Sequence, residues 1–301
     1  MPFAKINGIE IYYETHGEGF PLIFISGFAT HHLTWNAFIK PLQSQYRMIL
    51  LDNRGAGQSS APPPPYTIEM MAEDVVGLMD FLGIEKGGLV GSSMGTAIVQ
   101  TIAKNFPERV VGGALIAPFA RLPAASQLKS LTTGKLLAQK APLELVIETV
   151  IPWLFSRDFV ACEEKVAKRL EEMVNNPFPQ KGEGFLGQMA ALKAFDSRPF
   201  LSELTSPFLL IPGEEDLSTP LSCAQEIHEK LPNTILHSFP RVGYMVHAER
   251  QSEVLVVFPG NSYHYLTDLS GIFPSHKISP CLMDNVVDFE RRKPTKNLGE
   301  S

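Results

Sequence analysis

Short apolar runs of the chain alternate with segments in which apolar residues recur at helical spacing. The runs are typical of strands buried on both faces, and the first four are PLIFISG, RMILLD, GGLVG and RVVGGALIAP. The segments IEMMAEDVVGLMDFLG and SMGTAIVQTIAKNF lie between them and predict helices of roughly 10–15 residues. Strands that alternate with helices in this way indicate βαβ units. We therefore predict an α/β protein with a mostly parallel central sheet and helices on both faces.

The start, the middle and the end of the chain depart from this alternation. KINGIEIYYETHG has near-alternating apolar and polar residues around Asn7-Gly8, a dipeptide that favours the positive φ of a tight turn, so two antiparallel strands are predicted. After residue 118 only helical patterns occur, until SPFLLIPGEEDLSTP and TILHSF restore the strand pattern. We predict a core formed by residues 1–118 and 201–257, a helical lid of residues 119–200, and an irregular or disordered tail of residues 258–301.

Composition and charge narrow the class of protein and its partners. With 44% hydrophobic and 19% charged residues, the chain has the composition of an ordinary globular protein. A formal net charge of -6, without long runs of Lys or Arg, argues against nucleic acid as a partner. No signal-peptide pattern and no stretch of ~20 apolar residues is present, so we expect a cytoplasmic protein with no membrane partner. Cys162, Cys223 and Cys281 are too widely spaced to predict a disulfide framework or a metal site.

The clearest chemical motif is Gly91-Ser92-Ser93-Met94-Gly95, directly between the predicted strand GGLVG and the helix that follows. A serine on so sharp a turn requires small residues two positions before and after it, because larger side chains would collide with the neighbouring strand and helix. The turn exposes the hydroxyl at the helix N-terminus, where backbone N–H groups stabilise developing negative charge. Ser93 is therefore the predicted nucleophile. A Gly/Ser-rich turn without chemistry is the alternative.

Acyl transfer also requires an oxyanion site and an acid that follows the nucleophile in the chain. The N–H of Met94 is one predicted donor, and the N–H of Phe28, in the turn after PLIFI, is the other. Asp216 is the predicted acid, because its distance from the strand FLLIP allows a loop to aim it at a histidine, whereas Glu214 and Glu215 are expected to face solvent. The alternative role for Asp216 is a cap of the helix that follows.

Three motifs resemble those of the α/β-hydrolase superfamily, over about residues 3 to 257. They are the turn LDNRGAGQS, the elbow VGSSMG and the acid-bearing segment IPGEEDLSTP. The lid segment PWLFSRDF and the stretch NPFPQKGEGFLGQMAALKAFDSRPFLSEL look most like 3-oxoadipate enol-lactonases and related serine ester hydrolases. This resemblance implies hydrolysis of a small-molecule lactone or ester without a cofactor. The elbow serine also separates the chain from haloalkane dehalogenases and epoxide hydrolases, which carry aspartate there.

The chain departs from the family's pattern at the catalytic base. Relatives carry this histidine in a loop that resembles P-G-x-G-H-x-x-H-x-E, and here the loop reads PRVGYMVHAE, so Tyr244 stands at the expected position of the histidine. A phenol with a pKa near 10 is a poor base at neutral pH. His247, in the same loop, would have to move its imidazole by about one helical turn, ~5 Å, to act instead.

Three interpretations stay open from the sequence. His247 takes over as base; or the protein is a binding module that retains a pocket but turns over slowly or not at all; or it is an altered form of an active enzyme. We expect a hydrolase of a small carboxylic ester or lactone, in which Ser93 attacks, a histidine with His247 as the candidate accepts its proton, and Asp216 orients that histidine. A catalytically impaired ligand-binding protein is the alternative.

Overall fold

A computed structural model of the chain describes residues 3–257, and the predicted tail of residues 258–301 lies outside this range. Within it, strands and helices alternate along the chain. The strands are β1 (Phe3–Ile6), β2 (Ile9–His16), β3 (Phe20–Ile25), β4 (Tyr46–Leu51), β5 (Gly87–Ser92), β6 (Val110–Ile116), β7 (Phe208–Ile211) and β8 (Thr234–Leu236). The helices are α1 (Asn36–Ile39), α2 (Ile68–Phe81), α3 (Met94–Asn105), α4 (Ala124–Ala138), α5 (Leu143–Leu154), α6 (Arg157–Val160), α7 (Glu163–Val174), α8 (Gly182–Ala194), α9 (Leu221–Lys230), α10 (Val246–Glu249) and α11 (Gln251–Val257). Short 3-10 helices cover His32–Trp35, Lys40–Leu42, Pro107–Arg109 and Leu201–Glu203.

The strands of residues 3–257 form one sheet of eight strands in the order β1-β2-β4-β3-β5-β6-β7-β8. β1 pairs antiparallel with β2, and β2 pairs antiparallel with β4. All the other neighbours are parallel. The hairpin between β1 and β2 turns at Asn7 and Gly8, with φ of 50° and 79°. The predicted α/β fold class and the predicted hairpin are both confirmed.

The central strands are buried on both faces, which explains their continuous apolar sequence. Along β3, Ile23 and Ile25 pack on the face that α2 and α3 cover. Leu22 and Phe24 point to the opposite face and pack with Trp35 and other residues on that side of the sheet. Successive side chains of a strand point to opposite faces, so each strand contributes to both apolar layers. The carboxyl ends of β5 and β7 reach one edge of the sheet, where ligand sites form in open parallel sheets.

Helices α4 to α8 lie between β6 and β7, and no strand interrupts them. Their own apolar contacts include Ile147, Ile151 and Phe155. These helices occupy the residues predicted as a lid, while their separation from the core as a lid stays a prediction. Among residues 3–257, no helix is both long and apolar enough to cross a membrane.

Candidate active site

Ser93 lies on a strained turn between β5 and α3. Its backbone has φ of 50° and ψ of -113°, a combination that costs free energy for a residue with a side chain and is typical of functional turns. A Cβ atom added at Gly95 would lie 2.1 Å from the carbonyl oxygen of Ile25, and one added at Gly91 would lie 2.6 Å from the Gly95 backbone. Both glycines are therefore required by close backbone approach, as the motif predicts.

The hydroxyl of Ser93 is less accessible than the sequence indicated. Ser93 is only 6% exposed, whereas the turn was expected to hold its side chain in the open. The loop after β3 comes close on one side: a Cβ atom added at Gly27 would lie 3.4 Å from the Cβ of Ser93 and 3.6 Å from the phenol oxygen of Tyr244. The loop of Tyr244 therefore covers Ser93 together with the loop after β3.

The two predicted oxyanion donors lie on the elements that flank Ser93. Met94 is the first residue of α3, so its N–H has no acceptor inside the helix. Phe28 follows Gly27, and within residues 3–257 its N–H donates to no protein group. The Phe28 ring contacts Phe185 of α8, with centroids 4.9 Å apart. The placement of both N–H groups agrees with an oxyanion site, and their role stays a prediction.

Gln188 of α8 holds the oxyanion loop in place, and the sequence analysis missed it. Its side chain is fully buried, and its Oε1 accepts from the N–H of Ala29 at 3.2 Å and from Gln180 Nε2 at 2.8 Å. Its Nε2 donates to the carbonyl of Arg54 at 2.9 Å. Only one signal in the sequence pointed to it, a glutamine within the apolar segment FLGQMAALKAF.

Asp216 follows β7 and is buried, with 4% exposure. Its Oδ1 accepts from the N–H groups of Ser218 and Thr219 at 2.6 and 2.8 Å, and its Oδ2 accepts from Thr219 Oγ1 at 2.7 Å. Burial raises the pKa of Asp216 to about 6, although these hydrogen bonds and the charge of Lys129 lower it. Among residues 3–257, no histidine donates to this carboxylate. Asp216 thus stabilises its own turn, and its role in orienting a histidine stays a prediction.

The two neighbouring glutamates differ in environment. Glu214 is exposed, as expected, and accepts from Ser238 Oγ at 2.7 Å. Glu215 is 15% exposed and accepts from the N–H, Nε and Nη2 of Arg157 in α6. The Arg157 hydrogen bonds lower the pKa of Glu215. Glu215 therefore fastens the acid-bearing loop to α6 instead of facing solvent freely.

Tyr244 lies against Ser93. The Ser93 hydroxyl interacts with its phenol, and the Asp216 charge acts on it as well. Burial is the largest effect and raises the pKa of Tyr244; Asp216 raises it further, and Ser93 lowers it. The phenol is consequently protonated at neutral pH. It can donate a hydrogen bond at Ser93, but it cannot accept the serine proton.

His247 lies inside a cluster of aromatic rings and also lines a small cavity together with Ser92 and Tyr244. Its imidazole stacks on Trp35, with centroids 5.0 Å apart, and meets Phe38 edge-on at 6.2 Å. Its Nδ1 is buried, and no residue in the described range 3–257 forms a hydrogen bond with it. Burial, and to a lesser extent the charge of Arg169, lowers the pKa of His247 to about 4. Among residues 3–257, no hydrogen bond joins this histidine to Ser93 or Asp216, and its role as a base stays a prediction.

His32 already has acidic partners of its own. Its Nδ1 lies 2.9 Å from Oδ1 of the fully buried Asp52, and its Nε2 lies 3.4 Å from Glu14. The other oxygen of Asp52 accepts from the N–H of Gln58 at 2.8 Å, inside the turn LDNRGAGQS. This histidine and aspartate therefore stabilise that turn.

Comparisons with known proteins agree with this fold. The family model described as the alpha/beta hydrolase fold matches residues 21–251. A RutD protein of Caulobacter sp. (strain K31), named for carbamate hydrolysis, is 26% identical over 81% of this chain and 91% of its own length. The 3-oxoadipate enol-lactonase 2 of Acinetobacter baylyi is 27% identical over 76% of this chain and 84% of its own length. The solved enol-lactonase of Burkholderia xenovorans LB400 superposes with a TM-score of 0.73 at 25% identity, covering 84% of this chain and 96% of that protein.

Proposed function

Because this chain belongs to the α/β-hydrolase fold family, we propose that it hydrolyses a small carboxylic ester or lactone through Ser93, with a slow turnover because no histidine among residues 3–257 forms a hydrogen bond with Ser93. The observation that carries the proposal is the strained turn at Ser93, with the N–H groups of Phe28 and Met94 beside it and the phenol of Tyr244 against it. The names of the lactonase relatives support this substrate class.

In the proposed reaction, Ser93 Oγ attacks the carbonyl carbon and the carbonyl oxygen becomes an oxyanion. The N–H groups of Phe28 and Met94 donate hydrogen bonds to this oxyanion, where two positioned donors are most effective. The bond to the leaving alkoxide then breaks, the alkoxide takes up a proton, and Ser93 carries the acyl group. Water attacks this acyl-serine, releases the carboxylic acid and restores the hydroxyl.

The absence, among residues 3–257, of a histidine that is hydrogen-bonded to Ser93 determines the expected rate. The Ser93 proton must leave during attack, and the neutral phenol of Tyr244 has no capacity to accept it. Solvent hydroxide or water is then the acceptor, so the rate is expected to rise with pH instead of levelling off near neutrality. The oxyanion donors alone leave a catalysis of about 10³–10⁴-fold over water in serine hydrolases that lack a triad member.

An ester panel tests this function directly. Purified protein is assayed on short acyl esters and one enol-lactone, together with the Ser93→Ala variant. Ser92→Ala is the matched control, because it changes the neighbouring serine of the same turn. We expect slow hydrolysis in the parent and the control, and none above background in Ser93→Ala. Full activity in folded Ser93→Ala would reject the assignment.

A second candidate function is ligand binding without turnover. It is favoured by the neutral phenol of Tyr244 against Ser93, which cannot accept the serine proton. The small cavity beside Tyr244, of about 20 Å³, is lined by Gly27, Trp35, Ser92, Tyr244, Met245 and His247 among others and has room for little more than one water molecule. In this case Ser93 would not become acylated by any ester. Intact-protein mass spectrometry after incubation with an activated ester separates the two functions, because only the hydrolase gains the acyl mass at Ser93.

A further inference from the structure

A second cavity, of about 360 Å³, lies between α6, α7 and the end of α10. It shares no lining residue with the small cavity beside Tyr244, and Ser93 does not line it. Its wall includes Ser156, Phe159, Lys165, Lys168, Arg169 and Glu249. It is therefore separate from the proposed site of ester hydrolysis.

One face of α7 brings three cationic side chains to this cavity. Lys165, Lys168 and Arg169 are spaced by three and four residues, so they lie on the same side of the helix. Arg250 reaches the cavity from beyond α10. Both lysines are exposed, and within residues 3–257 neither forms an ion pair with a carboxylate. Their charges are available to a ligand.

Arg169 has an unused donor at this site. Its Nη1 pairs with Glu172 at 2.9 Å, and its guanidinium lies 5.3 Å from the ring centroid of Phe155. Its Nε is buried, and no group among residues 3–257 accepts a hydrogen bond from it. A buried donor on a charged group is costly when it has no acceptor, and a carboxylate or phosphate oxygen is the acceptor that suits a guanidinium.

The acidic residues of the cavity wall do not neutralise the positive charges of Lys165 and Lys168. Glu249 is already engaged by the N–H of Gly243 and by the N–H and hydroxyl of Ser156. Glu172 pairs with Arg169. Asp158 is 70% exposed and lies 4.0 Å from an arginine outside the cavity wall. None of these carboxylates neutralises the two lysines.

We propose that this cavity binds a small organic anion, whose carboxylate or phosphate oxygens contact Arg169 and the two lysines of α7. The Phe159 ring forms part of the wall and stacks on Phe155, with centroids 4.1 Å apart. An apolar or aromatic body of the ligand can therefore pack beside its anionic head. This site is additional to the proposed hydrolysis at Ser93 and does not depend on it.

Calorimetric titration of the full chain tests the site, with inorganic phosphate, phenyl phosphate and benzoate as probes at constant ionic strength. Phenyl phosphate and benzoate are expected to bind saturably, and their affinities identify which anionic head the site prefers. Inorganic phosphate should bind more weakly, because it has no apolar body. Arg169→Gln should weaken binding by about tenfold or more, as expected for the loss of one charge-assisted hydrogen bond.

Lys193→Gln is the matched control, since it removes an exposed cation of α8 that does not line the cavity. Its dissociation constants should stay within about twofold of the parent, the size expected for a screened surface charge. The double variant Lys165→Gln/Lys168→Gln changes only exposed residues and provides the test if Arg169→Gln does not fold; it should also weaken binding. No saturable binding to the parent, or an equal loss in the cavity variants and in Lys193→Gln, would overturn the proposal.

Discussion

The imidazole of His247 stacks on the indole of Trp35, with ring centroids 5.0 Å apart and planes inclined by 29°. This contact places the histidine of the loop PRVGYMVHAE in the apolar layer beneath the sheet edge, while Tyr244 of the same loop reaches Ser93. A buried imidazole without partners favours its neutral form. The consequence is a packing role for His247, and it can be measured as pH-dependent stability.

His247→Phe is expected to reduce the sensitivity of the fold to acid. Burial lowers the pKa of His247 to about 4 from its ordinary value of 6.5, so between these values the unfolded chain binds a proton that the folded chain does not. Stability is therefore lost as the pH falls from about 6.5 to 4, by about 3 kcal/mol for this group alone. Urea unfolding of both proteins at several pH values gives the difference.

The titration of Asp216 changes the stability of the fold in the opposite direction over the same pH range. Its pKa is raised to about 6 from 3.8, so its contribution to stability increases as the pH falls through this window. The two effects on stability partly cancel in the parent. Comparison of His247→Phe with the parent isolates the contribution of the histidine to the pH dependence of stability. Parallel curves of unfolding free energy against pH would show that the pKa of His247 is the same in the folded and unfolded chains, which would contradict this prediction.

Tyr244→His is expected to raise esterase activity by roughly 10²–10⁴-fold, the usual contribution of positioned general-base catalysis. The reason is that the side chain at this position already contacts Ser93 and senses the charge of Asp216. Tyr244→Phe is the control, because it removes the phenol oxygen without supplying a base, and it should give no such gain. Steady-state kinetics on one activated ester measure all three proteins.

The dependence of the hydrolysis rate on pH distinguishes general-base catalysis by the new histidine from easier access of the ester to Ser93. In Tyr244→His the rate should level off above the pKa of the new imidazole, whereas the parent should keep rising with hydroxide. A folded Tyr244→His protein without any gain in rate would mean that the loop does not aim this side chain at the nucleophile.

The role of Asp216 is best tested in the Tyr244→His background, where it has a histidine to orient. Asp216→Asn should remove most of the gained activity, by up to ~10⁴-fold if the effect resembles that of the triad aspartate of serine proteases. Glu215→Gln is the matched control, since its carboxylate binds Arg157 instead. Equal losses of activity in the two variants would show that Asp216 is not the residue that orients the histidine.

The strands, the hairpin at Asn7 and the elbow at Ser93 were predictable because each depends on local sequence. A turn of positive φ requires particular residues, and a buried strand requires a continuous apolar run. The glycines around Ser93 illustrate this, because the close backbone approach that they permit is fixed within the motif itself. The predictions therefore succeeded where a few neighbouring residues determine the geometry.

Contacts between distant parts of the chain were not predictable in this way. Gln188 reaches Ala29 across 159 positions, and Glu215 pairs with Arg157 across 58. The burial of Ser93 likewise results from the loop of Tyr244, which lies far from Ser93 along the chain. Such contacts depend on how helices α4 to α8 and the loops pack on the sheet, and the pattern of apolar and polar residues does not predict them.

Gln188→Ala is expected to disturb the oxyanion loop. The substitution removes the acceptor of the Ala29 N–H and leaves buried polar groups unpaired, a change that costs about 1–3 kcal/mol of stability. In the Tyr244→His background it should lower kcat more than it changes KM, because the loop carries the Phe28 N–H. Gln127→Ala is the control, a glutamine of α4 that donates only to the carbonyl of Leu122. A loss of stability with unchanged kcat would restrict Gln188 to a structural role.

The rate at which a fluorophosphonate labels Ser93 tests the account most directly. Labelling is followed by intact-protein mass spectrometry and the site is located by peptide mapping, for the parent, Tyr244→His and His247→Ala. The account predicts slow labelling at Ser93 in the parent, a similar rate in His247→Ala and labelling at least ~10²-fold faster in Tyr244→His. Rapid labelling of the parent that is lost in His247→Ala, or labelling at another serine, would contradict it.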